Sequence, residues 1–356
     1  MYAWSPPESM NLTRGKKIYI FSFLALLILS VVFWNGIKSY ERSVINSITG
    51  PTLPVFPTPT EKPSAKLSQP VSTATPVQLP EQVEVIEREP KCNGPEKMLV
   101  LVVGADNDVG YYRGLSDVMQ VYKINFMTAE VDVLSIPRHI WVDIPGLEKQ
   151  EIFEGKLNQP YFYGNLYELE GGGSTLLART LYESFGLSVD HYFAINMYAF
   201  TNVIDQLGGI DFYNPQYASD GNYYYPEGDI HLNGEDALKF SRIRKFDGVF
   251  ARMDRQFLVV KAIAQKILTP QYFLQIPSLI NSNLDQIVTS LGEIEFEMLL
   301  CIATQVDLAE VDNYSIGLDF GEHAWAFPSW AEAGTQILVV DFEKTRVYIK
   351  EFVDRE

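Results

Sequence analysis

The sequence predicts an α/β (α+β) fold, a central mixed β-sheet flanked by helices, preceded by one transmembrane helix. Three observations carry this. From about Val83 onward, short apolar runs with strand character intermix with longer runs of helical spacing. Hydrophobic residues make up 47% of the chain and aromatics 13%, ample for a sizeable core. A single uncharged apolar run, Ile18 to Trp34, stands apart near the N-terminus, at the short end of what spans a hydrocarbon layer.

Arg14, Lys16 and Lys17 precede that run, and Trp34 closes it like an interfacial anchor. The positive flank predicts a cytoplasmic tail at 1–17, an anchor at 18–37 and export of the rest, a single-pass protein of the cell membrane. A cleaved signal peptide is the rival reading. Its apolar stretch would be shorter and end in an A-x-A-like site, and "VVFWNGIKSYERS" offers none. Residues 38–95 are expected to be an extracytoplasmic tether. Its stretch 51–82 is dense in Pro, Thr and Ser, and each proline fixes φ and removes a donor, so an extended spacer follows. The folded domain is then 96–356, with no internal repeat.

Within it, "KMLVLVVGAD" is a buried strand feeding a loop, and "SDVMQVYKINF" alternates as a second strand. "AEVDVLS" is a third, interrupted near Pro137 and resumed at 139–144. "GSTLLARTLYESFG" has helical spacing with Ser174 at its N-cap and Gly186 past its end. "HYFAINM", "YAFTNVIDQLGG" and "IDFY" follow as strand, helix and strand. "GEDALKFSRIRK" starts as a short helix. "RMDRQFLVVKAIAQKIL" is amphipathic, with Phe257, Val260, Ile263 and Ile267 as its apolar stripe. "FEMLLCIATQV" is helical, and "NYSIGLDF", "TQILVVDF" and "RVYIKEF" are expected as late strands.

The chain has 28 Lys and Arg against 45 Asp and Glu, a formal net charge of -17, which argues against a general nucleic-acid binder. Against that background "FSRIRKFDGVFARMDRQ" gathers Arg242, Arg244, Lys245, Arg252 and Arg255. The alternation of Phe240, Arg242, Arg244 and Phe246 suggests two arginines on one face of an extended strand. Arg252 and Arg255 share a helix face near a helix N-terminus, itself an anion site. Together they could clamp a phosphate or pyrophosphate, because the guanidinium fork binds phosphate oxygens bidentately. Ion pairs with Asp247 and Asp254 would account for them equally well. Arg138 follows a strand and a proline, where ligand groups collect in α/β folds. Asp106, Asp108 and Asp117 put hard oxygen donors around one loop, suited to Mg²⁺ or to a polar turn. Cys92 and Cys301 could pair outside the cytoplasm, or remain a free thiol and a small core residue.

Several ordered motifs carry a resemblance. "DVLSIPRHIWVDIPG", "KLNQPYFYG", "HYFAINMYAFTNVIDQLGGIDF" and "HLNGEDALKFSRIRK" with "RMDRQ" resemble, in order, the LytR-CpsA-Psr family of cell-wall glycopolymer ligases, from about Lys97 to Phe352. The resemblance implies a membrane-anchored, Mg²⁺-dependent (or Mn²⁺-dependent) phosphotransferase that moves a glycopolymer from a polyprenyl-pyrophosphate carrier onto peptidoglycan. It implies that Arg138, Arg242, Arg244, Arg252, Arg255 and Gln256, joined by Lys156, hold the pyrophosphate. Asp117, Arg138 and Arg244 would carry the chemistry, and Asp117 with Asp106 would hold the metal. The chain departs from the family pattern at Leu115, at His139 and at Val249, where the family carries an arginine, an aspartate and an acid. The alternative is therefore a regulator or envelope protein that binds polyprenyl pyrophosphate without turning it over.

Overall fold

The computed structural model describes residues 39, 42–56, 89–107, 114–244, 248–327 and 334–355. The tail expected to be cytoplasmic and the anchor expected at 18–37 lie outside these residues. No helix among the described residues is long and apolar enough to cross a membrane.

A six-stranded mixed sheet organises the domain. Its strands are β1 (Lys97–Ala105), β2 (Ser116–Asn125), β3 (Glu130–Ser135), β4 (His191–Asn196), β5 (Ile287–Thr289) and β6 (Asp312–Ser315), in the order β5-β4-β1-β2-β3-β6. β1 is central, antiparallel to β2 and parallel to β4. It is buried on both faces: Leu99, Leu101 and Val103 face one core, Met98 and Val100 another. That is why its sequence is a continuous apolar run and not an alternating one.

The helices are α1 (Gln159–Leu166), α2 (Gly172–Phe185), α3 (Met197–Gln206), α4 (Gly234–Arg242), α5 (Gly248–Ile267), α6 (Glu293–Ala303) and α7 (Phe342–Asp354), besides shorter pieces. α2 and α7 cover one sheet face through Leu177, Leu181, Phe185, Ile349 and Phe352. α6 covers the other through Ile302. A further core joins α3, α4 and α5 through Ile204, Ala237, Phe240 and Val259.

Four local expectations are corrected. Arg242 is not on a strand: it is the last residue of α4, and Ile243 turns the chain out of the helix at φ -57°, ψ 132°. "RVYIKEF" is helical, within α7. The Asp341 side chain accepts from Lys344 N at 3.1 Å, and Thr345, Ile349 and Phe352 fall on one buried face. The N-cap of α2 is Gly171, in the left-handed region at φ 76°, and Ser174 is buried in the first turn. In α5 the buried face is Arg252, Met253, Arg255, Gln256, Val259 and Ala262, while Phe257, Val260 and Ile263 are only partly covered.

The expected tether is divided. Residues 42–48 are helical and bury Val44 and Ile48 against Ala199, Ile280 and Ile287, and Gly50 N donates to Thr289 O at 2.6 Å. Leu53 and Phe56 pack on the main core, with Phe56 stacked on Tyr182 at 4.8 Å. The folded unit thus includes 42–56, and residues 57–88 lie outside the description. Cys92 and Cys301 form a disulfide that ties the segment before β1 to α6.

Candidate functional site

The C-terminal ends of β1 and β4 and the start of β2 open onto one cavity of about 110 Å³ roofed by α4 and α5. Its interior is apolar, lined by Val102, Val118, Ile195, Phe200, Leu238 and Val260. Asp106, Asp117, Arg242, Arg252 and Gln256 also line it. The β1–β2 hairpin brings the two aspartates together, because Ala105 pairs with Ser116 and Asp106 N donates to Leu115 O at 2.8 Å.

Asp117 forms an ion pair with Arg138 and accepts from Asn158 Nδ2 at 3.1 Å. Asp106 pairs with Arg242 at 3.5 Å. Asn158 N donates to Arg138 O at 3.1 Å and Ser116 N donates to Asn158 O at 3.1 Å, so three distant segments are locked around Asp117. Lys156 precedes Asn158 by two residues. Its ammonium donates to Thr335 Oγ1, and burial, then Arg138 and Arg244, push its pKa down against the pull of Asp117.

Arg252 is the centre of the cluster. It is 4% exposed, and its Nε has no hydrogen-bond partner among the described residues. Burial lowers its pKa to about 10, with Arg138, Arg244 and Arg242 adding to the effect and Asp117 opposing it. A buried guanidinium among three others, with a donor unused, is an unbalanced positive site. It is complementary to a compact polyanion.

Arg255 and Gln256 face the backbone. Arg255 donates from Nε to Phe240 O at 3.2 Å and from Nη2 to Ile243 O, and Gln256 Nε2 donates to Ser241 O at 3.3 Å. They hold the end of α4, and so the exposed Arg242 and Arg244, against α5. Asp108, Lys245 and Asp247 lie outside the described residues.

His139 is buried beside Arg138, with both ring nitrogens unpartnered among the described residues, and stacks on His323 at 5.5 Å. Burial lowers its pKa to about 4, reinforced by His323, Arg138, Arg252 and Lys156. Asn158 had a sequence signal, the "KLN" motif, without a role attached to it. His323 and Thr335 come from a remote hairpin, Gly321–Ala326 with Thr335–Val340, and no local spacing points to them.

Asp106 and Asp117 are the carboxylates that could hold a divalent metal. No group of three His, Cys, Asp or Glu among the described residues could cage one. The donor set fits Mg²⁺, which takes one or two carboxylates and completes its shell with substrate phosphates and water. The buried Asn158 Oδ1, without a partner among the described residues, is a further oxygen beside Asp117.

An arginine-lined anion site at the mouth of an apolar cavity, on a mixed sheet, defines a protein built for amphiphilic phosphate esters. The LytR_cpsA_psr family model matches residues 61–317, and the chain belongs to that family. The sequence is 31% identical over 325 residues to the polyisoprenyl-teichoic acid–peptidoglycan teichoic acid transferase TagU of Enterococcus faecalis, covering 87% of this chain and 85% of that one. A TagU of Oceanobacillus iheyensis is 38% identical over 165 residues, 46% of this chain and 49% of that one. The structure is similar to that of B. subtilis TagV, with a TM-score of 0.56 and 25% identity, covering 73% of this chain and 98% of TagV.

Proposed function

We propose that this chain is an extracytoplasmic phosphotransferase, moving a glycopolymer from a polyprenyl-pyrophosphate carrier onto a hydroxyl of peptidoglycan. The observation that carries it is Arg252, buried with an unused donor among Arg138, Arg242 and Arg244 at the rim of an apolar cavity. The relatives' names supply the substrate class. The apolar interior suits the lipid end of the carrier and the arginine rim its pyrophosphate. The acceptor hydroxyl attacks the sugar-bearing phosphorus. The bond from that phosphorus to the bridging oxygen breaks, polyprenyl monophosphate leaves, and the hydroxyl proton passes to a carboxylate, with Asp117 in position. Charge spreads over the phosphoryl oxygens in the transition state, so pre-placed guanidiniums supply most of the stabilisation. Mg²⁺, or Mn²⁺, held by Asp106 and Asp117, would neutralise phosphate charge when bound. Anchoring through 18–37 would put the domain on the outer side of the membrane, where lipid carrier and wall acceptor meet.

The test incubates the full chain in detergent with a polyprenyl-pyrophosphoryl sugar, Mg²⁺ and peptidoglycan oligomers. Polyprenyl monophosphate and a sugar-phosphate-bearing acceptor are expected by mass spectrometry, and neither from Arg244→Ala. Unchanged turnover in Arg244→Ala would sink the assignment. The neutral, buried His139 in place of the family's aspartate favours the binding-only reading, for which intact lipid would be retained with no product.

A further inference from the structure

Next to the arginine cavity, at the other end of α4, is a second concavity of about 350 Å³ lined by Tyr223, Tyr224, Tyr225, Ile230, His231 and Asp236. It is built by a short hairpin, Ala218–Ser219 with Tyr224–Tyr225, laid beside the ribbon of Ile210–Asn214 and Gly228–Leu232. The hairpin turn is fixed: Asp220 Oδ1 accepts from Asn222 N at 2.8 Å and Tyr223 N at 3.0 Å, and Ser219 Oγ donates to Tyr223 O at 2.7 Å. The buried Asn214 side chain donates to Pro226 O at 2.7 Å. A pre-set hairpin then presents Tyr224, 68% exposed, against Tyr217, 52% exposed, with ring centroids 4.9 Å apart. Large apolar rings left in water on a rigid support mark a binding surface.

The chemistry of the rim selects the occupant. From 217 to 236 the segment carries Asp220, Glu227, Asp229, Glu235 and Asp236 and no Lys or Arg. The nearest cations are already paired, Lys239 with Glu235 at 2.6 Å and Lys266 with Asp211 at 3.3 Å. An anionic polymer would be repelled here. A neutral pyranose fits: its C–H face rests on a tyrosine ring, and its hydroxyls and amides meet carboxylates, tyrosine hydroxyls and the His231 imidazole. Asp236, on this concavity, and Arg242, on the other, are six residues apart on α4, about 9 Å of helix. One extended oligosaccharide can reach both.

We propose that this tyrosine concavity binds an uncharged β-1,4-linked N-acetylhexosamine strand, the glycan backbone of the acceptor, and presents its hydroxyl to the arginine site. The proposal rests on the transferase reading above. The test titrates N-acetylglucosamine tetramer into the full chain in detergent, followed by isothermal calorimetry. Binding is expected for the native chain, about tenfold weaker for Tyr217→Ala/Tyr224→Ala, the scale of one lost aromatic stack, and retained by Tyr224→Phe. Polyprenyl-pyrophosphate binding should be the same in all three proteins, which also shows that the variants are folded. No tetramer binding by the native chain, equal binding by the double variant, or equal competition from polyglycerol phosphate overturns the proposal. If the lipid-linked donor is cleaved while the tetramer fails these criteria, only this proposal falls. If the donor is neither bound nor cleaved, the transferase reading falls and this one with it.

Discussion

Burial and three neighbouring guanidiniums oppose the charge on Arg252, and the surrounding fold holds it in place through packing of α5 in the core it shares with α3 and α4. His139 beside it solves the same problem differently, by staying neutral. Its folded pKa, near 4, lies below the ordinary value of 6.5, first because it is buried and then because His323 and Arg138 are close. The sign follows from proton uptake. Between pH 6.5 and 4 the unfolded chain takes up a proton that the folded chain refuses, so stability is complete above about 6.5 and falls as pH drops towards 4. The slope is up to about 1.4 kcal/mol per pH unit. Urea midpoints of the native chain and His139→Gln, measured across that window, should converge as pH falls, since the glutamine cannot titrate. Parallel profiles would mean that His139 is not held neutral.

At the scale of elements, what the sequence discloses is what repeats locally. β1, β2, β4 and the exit of α2 at Gly186, φ 70°, follow from apolar runs and a glycine in the left-handed region. The arginine site was legible as a set of residues and only partly as a geometry. Arg138, Arg242, Arg244 and Arg252 converge, but Arg255 and Gln256 serve the α4 carbonyls, a distinction set by tertiary packing that no spacing encodes. The stripe of α5 misleads for a related reason. Hydropathy assigns the core face to Phe257 and Val260, whereas the buried face carries Arg252, Arg255 and Gln256, the last two turned to the carbonyls of α4. "RVYIKEF" alternates apolar and polar residues over too few positions to separate a strand from the final turns of a helix. The disulfide is a separate element-scale device, closing a separation of 209 residues between the start of β1 and α6. Restriction of so long a loop in the unfolded chain stabilises by roughly 2–5 kcal/mol. Reduction, or Cys92→Ser/Cys301→Ser, should lower the urea midpoint accordingly. A midpoint indifferent to reductant would show the bond to be dispensable.

For the molecule as a whole, the division of the expected tether moves the start of the folded unit to residues 42–56. With an anchor at 18–37, the first buried residue of the folded unit, Val44, follows within a few positions. Residues 57–88, the bulk of the Pro/Thr/Ser-rich stretch, fall in sequence between two parts of the folded unit, and would not stand as a spacer between that unit and such an anchor. The folded unit also loses support if cut where composition suggests. Val44, Ile45 and Ile48 are each buried to 9% exposure or less, and full burial of such side chains stabilises by about 1.5–3 kcal/mol each. Removal of 42–56 also uncovers Ala199, Ile287 and Val288, which adds to the loss. A chain beginning at residue 89 should unfold at a lower urea concentration than one beginning at residue 39, with more exposed apolar surface by dye binding. Equal midpoints for the two chains would show that 42–56 lies on the domain without stabilising it, and the boundary would return to the edge of β1.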